Sequence, residues 1–141
     1  MKGPRTRNLR QSATFKATPH SVYEMLMDSK KHAAFTGDRA DISRREGSRF
    51  SAYGGWISGR NIKLVKDREI VQEWRGRSWP SGHYSVVRFS LRKNKTGTRL
   101  IFTQTGIPED EYDEIRAGWK EDYWKKMKAS LGFLDQLKKI H

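Results

Sequence analysis

Seven apolar residues, Tyr112, Ile115, Trp119, Tyr123, Met127, Leu131 and Leu134, recur at steps of three and four near the end of the chain. That spacing predicts one apolar stripe on a single helix. From Tyr112 to Lys139 such a helix would run about 40 Å, so the rest of the chain must supply an apolar surface of matching length. Charge agrees with the helical reading. Glu109, Asp110, Glu111, Asp113 and Glu114 lie at its start, and Lys125, Lys126, Lys128, Lys138 and Lys139 towards its end, the arrangement that complements the helix dipole.

The surface comes from the middle of the chain. From Ile42 to Pro108, short alternating segments are broken by Gly47-Ser48, Gly54-Gly55, Gly59, Lys66-Asp67, Gly76, Pro80-Ser81-Gly82 and Asn94-Lys95-Thr96-Gly97, which predicts an antiparallel meander. Its clearest strands are Tyr84 to Arg92, with Val87, Phe89 and Leu91 opposing Arg88 and Arg92, and Arg99 to Thr105, with Leu100 and Phe102 opposing Arg99 and Thr103. One face is apolar and the other is wet. Before the meander, Leu9 to Lys16 reads as a strand, and Thr18-Pro19 as an N-cap followed by proline at the first helical position. That helix stops near Asp28 to Ser29. A second is expected from Lys30 to Phe35, closed by Gly37. The glycines at 54, 55 and 59 lack the strand–glycine–helix setting of a phosphate loop and read as a bulge or strand bend. Asn94-Lys95-Thr96 reads as a polar turn.

With 141 residues and no cysteine, the expectation is one domain over 1–141, with a core from about 9 to 131 and a basic N-terminal arm at 1–8. Disulfide scaffolds, zinc fingers and iron–sulfur sites are excluded. No apolar run approaches the roughly 20 residues of a membrane span, and the basic start lacks the apolar stretch of a signal peptide; the expected compartment is the cytoplasm. The four histidines, His20, His32, His83 and His141, share no metal-ligand spacing. Without cysteine or an evident serine–base pair there is no nucleophilic centre, so neither catalytic residues nor a cofactor are expected. The net charge of +13 concentrates in residues 49–108, with twelve basic against three acidic groups. This predicts a basic sheet surface, either a solvated face or one that meets an acidic partner. No nucleic-acid motif accompanies it, so nucleic acid ranks below the other partners.

One strand, two short helices, a meander and a long final helix make an α+β plan, and its residues resemble a known family. The order is that of the helix-grip fold of START-related lipid-transfer domains and the birch-pollen-allergen superfamily. Within it, the chain resembles the C-terminal domain of the activator of heat-shock protein 90 ATPase and its stand-alone homologues. The resemblance runs from about Leu9 to Leu131. It is carried by Phe15-Lys16-Ala17-Thr18-Pro19 with Val22-Tyr23, Gly47-Ser48-Arg49-Phe50, Tyr53-Gly54-Gly55-Trp56-Ile57-Ser58-Gly59, Ile70-Val71-Gln72-Glu73-Trp74-Arg75, Ser78-Trp79-Pro80-Ser81-Gly82-His83-Tyr84-Ser85, Thr103-Gln104-Thr105-Gly106-Ile107-Pro108, and Gly118-Trp119 with Tyr123-Trp124. Phe35-Thr36-Gly37 departs from it by standing where a Trp-containing segment is usual, and Ser48 by replacing a common second glycine. The eukaryotic activator also carries a separate N-terminal domain, for which 141 residues leave no room.

The resemblance implies a curved antiparallel sheet wrapped around the C-terminal helix, a non-enzymatic role as co-chaperone of a heat-shock protein 90-type partner, and a cavity under the helix. The alternative role is binding of a small hydrophobic ligand in that cavity. Alternation assigns its lining to Phe50, Gln72, Trp74, His83, Val87, Phe89, Phe102, Gln104, Trp119 and Tyr123. The polar three, Gln72, His83 and Gln104, form either a closed hydrogen-bond network or the orienting groups of a pocket. Trp56 and Trp79 beside Arg75 and Arg77 are the candidate partner-binding surface if exposed, and core if buried; Trp124 faces the same alternative.

Overall fold

The computed structural model describes residues 5–131; Leu134, Lys138 and Lys139 lie outside them. Strand β1 (Thr6–Phe15) leads into helices α1 (Pro19–Met27) and α2 (Ser29–Thr36). Strands β2 (Asp41–Ile42), β3 (Arg49–Ala52), β4 (Ile57–Val65), β5 (Glu69–Gly76), β6 (Ser85–Asn94) and β7 (Gly97–Pro108) follow. Helix α3 (Tyr112–Gly118) continues through a π-helical turn (Trp119–Trp124) into helical residues 125–131. Together these form the C-terminal helix. Its 20 described residues span about 30 Å.

All seven strands join one antiparallel sheet in the order β1-β7-β6-β5-β4-β3-β2. Register turns alternation into rows across its concave face. Ile70, Phe89, Phe102 and Gln11 stand side by side over four strands, as do Gln72, Val87, Gln104 and Leu9 in the next row. The curved sheet grips the C-terminal helix, as expected. Trp119 is the centre of the packing, with ring centroids 4.3 Å from Phe102, 4.4 Å from Tyr123 and 5.7 Å from Trp74.

The caps are those the residues dictate. Thr18 Oγ1 accepts from Ser21 N at 3.1 Å, and Pro19 opens α1. Asp28 Oδ1 accepts from Lys31 N at 3.0 Å to start α2, and Gly37 ends it at φ 78°. The backbone amides of Lys31 and Lys30 hold the Asp28 carboxyl below the usual carboxylate range. Asn94 Oδ1 accepts from the amides of Thr96 and Gly97, making the expected polar turn between β6 and β7. Strand β1 begins three residues before the sequence pattern suggests. There Thr6 and Arg7 pair with Pro108 and Ile107, and the Arg7 guanidinium lies 3.8 Å from the Tyr112 ring centroid. Backbone pairing, which leaves no alternation to read, therefore draws part of the expected arm into the sheet. Asn8 sits at the resulting bulge and accepts from Gly106 N at 3.1 Å.

The π-turn answers a problem set by the apolar stripe. In a straight α-helix each step of four residues overshoots a full turn by about 40°, so Leu131 would stand about 160° around from Ile115. A turn closed by an i→i+5 bond, here Lys125 N donating to Lys120 O, takes back roughly one residue's rotation, about 100°. Trp119, Tyr123, Met127 and Leu131 are all buried. Trp124 is buried too, and its indole N–H donates to Gln11 Oε1 at 2.7 Å.

Candidate functional site

The middle of the sheet–helix interface is filled by the chain's own side chains. Val87, Phe102 and Gln104 are completely buried there. At one end the packing opens into a cleft of about 450 Å³. Three elements shape it. The turn after β3 brings Tyr53 and Trp56 to one wall, using positive φ at Tyr53 (51°), Gly54 (65°) and Gly55 (93°). The end of β5 supplies Trp74 to the floor, and the turn after it supplies Trp79. The C-terminal helix supplies Ile115, Trp119 and Tyr123, and the acidic Glu114 and Asp122 at the lip; Glu111, in the turn just before the helix, and Asp38, just past α2, complete it.

Two glycines keep the backbone and rings here close together. Gly59 pairs with Phe50 on one side and Trp74 on the other, and a Cβ there would lie 1.8 Å from Glu73 O. At Gly76 a Cβ would lie 2.9 Å from Trp79 Nε1, so only glycine lets that indole fold back. Arg75 fixes the same turn, donating to Trp79 O at 2.8 Å and Pro80 O at 3.2 Å.

Behind the cleft a void of about 20 Å³ lies among His32, Phe50, Gln72, Phe89, Trp74 and Tyr123. Trp74 and Tyr123 line both spaces and form the wall between them. His32 Nε2 lies 3.2 Å from the Tyr123 hydroxyl, while its Nδ1 has no partner. Burial lowers the imidazole's pKa to about 4. Burial also raises both tyrosines above the usual phenol range, reinforced by Asp122 and Asp38 at Tyr53 and by Tyr53 and Asp122 at Tyr123.

Of the expected lining, Trp74, Trp119 and Tyr123 meet the cleft and Phe50, Gln72 and Phe89 the inner void. Val87, Phe102 and Gln104 reach neither. The polar three form no shared network. Gln72 Nε2 donates to Asn61 Oδ1 at 3.0 Å, Gln104 Nε2 donates to Ser85 Oγ at 2.8 Å, and His83 Nε2 donates to Gly106 O at 2.8 Å. His83 is only half-buried and does not point into the cavity, because β6 starts at Ser85 and strand parity has no meaning two residues earlier. Of the two alternatives for Trp79, surface if exposed or core if buried, the structure gives the second: it is 5% exposed and packs 5.5 Å from Trp74. The exposed aromatic–basic surface thus contracts to Trp56, 48% exposed, with Arg77 at 5.8 Å from its ring centroid; Arg75 is half-buried.

Sequence reasoning did not single out Asp38, Tyr53, Glu111, Glu114, Ile115 or Asp122 as site residues. The signal was available for those at and after the helix start: 111, 114, 115, 118, 119 and 122 recur at spacings of three and four, beside the cleft. Among the described residues no group of His, Asp and Glu is placed to hold a metal ion, and no helix is long and apolar enough to cross a membrane.

Comparison with known proteins agrees with this architecture. An activator of heat-shock protein ATPase homologue from Dictyostelium discoideum is 32% identical over 137 residues, 96% of this chain and 36% of that protein. Its human counterpart, homolog 1, is 30% identical over 120 residues, 85% of this chain and 36% of that protein. The chain therefore spans about a third of the length of these relatives. Among solved structures, an HSP90 activator from Plasmodium falciparum superposes with a TM-score of 0.78 at 21% identity, covering 92% of this chain and 97% of that one. The Aha1 dimer from Colwellia psychrerythraea gives 0.77 at 19%, covering 89% and 96%. Residues 16–132 match the family described as Activator of Hsp90 ATPase homolog 1-like protein, and the chain belongs to that family.

Proposed function

We propose that this protein is a cytoplasmic co-chaperone that binds an Hsp90-type chaperone and raises its ATPase rate through protein contact, without covalent chemistry of its own. The observation that carries this reading is the family match over residues 16–132, together with curated relatives named as activators of that ATPase. The basic sheet and the exposed Trp56–Arg77 pair offer a contact surface of the kind that anchors protein partners. The test is the ATPase rate of the matching chaperone with and without this chain, at low and physiological salt. Stimulation that weakens as salt rises is expected; neither stimulation nor binding at either salt overturns the reading.

A second reading is favoured by the cleft itself. An aromatic-walled space of about 450 Å³ lies within the size range of small-molecule sites, and on this reading the chain carries or senses an apolar ligand there. Saturable quenching of tryptophan fluorescence by an apolar probe is expected, and its absence would remove this reading.

A further inference from the structure

The cleft combines two kinds of surface. Its walls are rings, and its lip is acidic: Asp38, Glu111, Glu114 and Asp122 line it, and no Lys, Arg or His does so among the described residues, in a chain whose net charge is +13. The rings spend their polar atoms elsewhere. Trp119 Nε1 donates to Gln104 Oε1, the Tyr53 hydroxyl donates to Asp122 O, and the Tyr123 hydroxyl faces His32. With those polar atoms engaged, these three line the cleft as aromatic rings, the kind of surface whose quadrupole attracts cations. The lip carboxylates are only partly engaged. Glu111 Oε1 accepts from Ser78 Oγ at 3.0 Å and Asp122 lies 3.7 Å from Lys126 Nζ, whereas Glu114 and Asp38 form no ion pair among the described residues. Burial first, and then Asp122 and Asp38, disfavour ionisation of the Tyr53 phenol in the cleft wall. Outside the cleft, Arg77 over the Trp56 ring shows a cation already seated on one of these aromatics.

We propose that this cleft binds an organic cation, a quaternary or protonated amine carried on an aromatic or branched aliphatic body. The apolar body would lie against Trp74 and Trp119, and the positive centre would sit at the lip between Glu114 and Asp38. The proposal rests on the second reading above and is independent of the chaperone reading.

The test titrates the full chain at physiological salt with phenyltrimethylammonium, its uncharged isostere tert-butylbenzene and the anion benzenesulfonate. Tryptophan fluorescence gives affinity, and indole N–H shifts locate the site. The double variant Asp38→Asn with Glu114→Gln is titrated alongside, its fold checked by thermal melting, since both side chains are exposed. The expected result is that the cation binds tightest, shifts the Trp56, Trp74 and Trp119 indoles, and loses about fivefold or more in affinity in the variant while the neutral isostere is unaffected. Equal or tighter binding of the neutral isostere overturns the proposal and leaves the apolar-ligand reading standing. So does cation binding that the variant leaves unchanged, or that shifts none of those indoles. Preference for the sulfonate overturns the proposal as well. No saturable binding of any probe up to about 10 mM overturns both.

Discussion

The Trp119 indole N–H donates to Gln104 Oε1 at 2.8 Å, tying the centre of the C-terminal helix to the middle of β7. The amide's other end donates to Ser85 Oγ, which donates to Trp74 O at 3.0 Å. Gln104 is therefore a structural link between helix and sheet, completely buried. Gln104→Leu leaves the indole N–H without an acceptor in a dry core. A loss of about 1–3 kcal/mol is expected in chemical denaturation.

His32 gives the fold an acid limit. Its folded pKa is about 4 against an unfolded value of 6.5, so between those values the unfolded chain binds the extra proton. This contribution is fully present above pH 6.5 and is lost as pH falls towards 4. The loss amounts to roughly 3 kcal/mol. His32→Gln should flatten the stability profile between pH 6.5 and 4, measured by urea unfolding across that range.

Gly59→Ala should strain the β4–β5 pairing beside Trp74. The new Cβ meets Glu73 O at 1.8 Å and Phe50 Cε1 at 2.7 Å. The first of these is backbone held in the β4–β5 ladder. A loss of about 3 kcal/mol or more is expected in thermal or chemical unfolding, with altered Trp74 emission.

On the outer face of the sheet, Arg92 and Arg99 stand directly opposite each other, both exposed. Like charges in that position oppose pairing. Arg99→Glu should raise stability by about 0.5 kcal/mol at low ionic strength, with the gain shrinking as salt is added. A comparison of urea midpoints at two salt concentrations checks this.

Legibility followed how local each signal is. The Thr18-Pro19 cap, the αL stop at Gly37 and the alternation of β6 and β7 are read within a few residues, and each stands where the sequence puts it. For Trp79 the sequence leaves core and surface both open, because its burial depends on the missing Cβ of Gly76 and on the Arg75 clamp, which act only after the chain has turned back. Trp124 belongs to the core because the π-turn rotates it there, and a period of three and four does not include it. The acidic residues at 109–114 were legible as dipole partners. Nothing local shows that Glu111 and Glu114 also border a cleft whose other side comes from residues 53–79.

The acid-lipped cleft sets up opposing forces at different ranges. A cation approaching from bulk solvent meets the field of a +13 chain and is repelled, whereas within a few ångströms of the lip the carboxylates dominate. At physiological ionic strength the screening length is about 8 Å, which suppresses the distant repulsion more than the close attraction. Added salt should therefore quicken a cation's entry to the cleft, the reverse of electrostatic steering, while slowing the encounter of the basic sheet with an acidic partner.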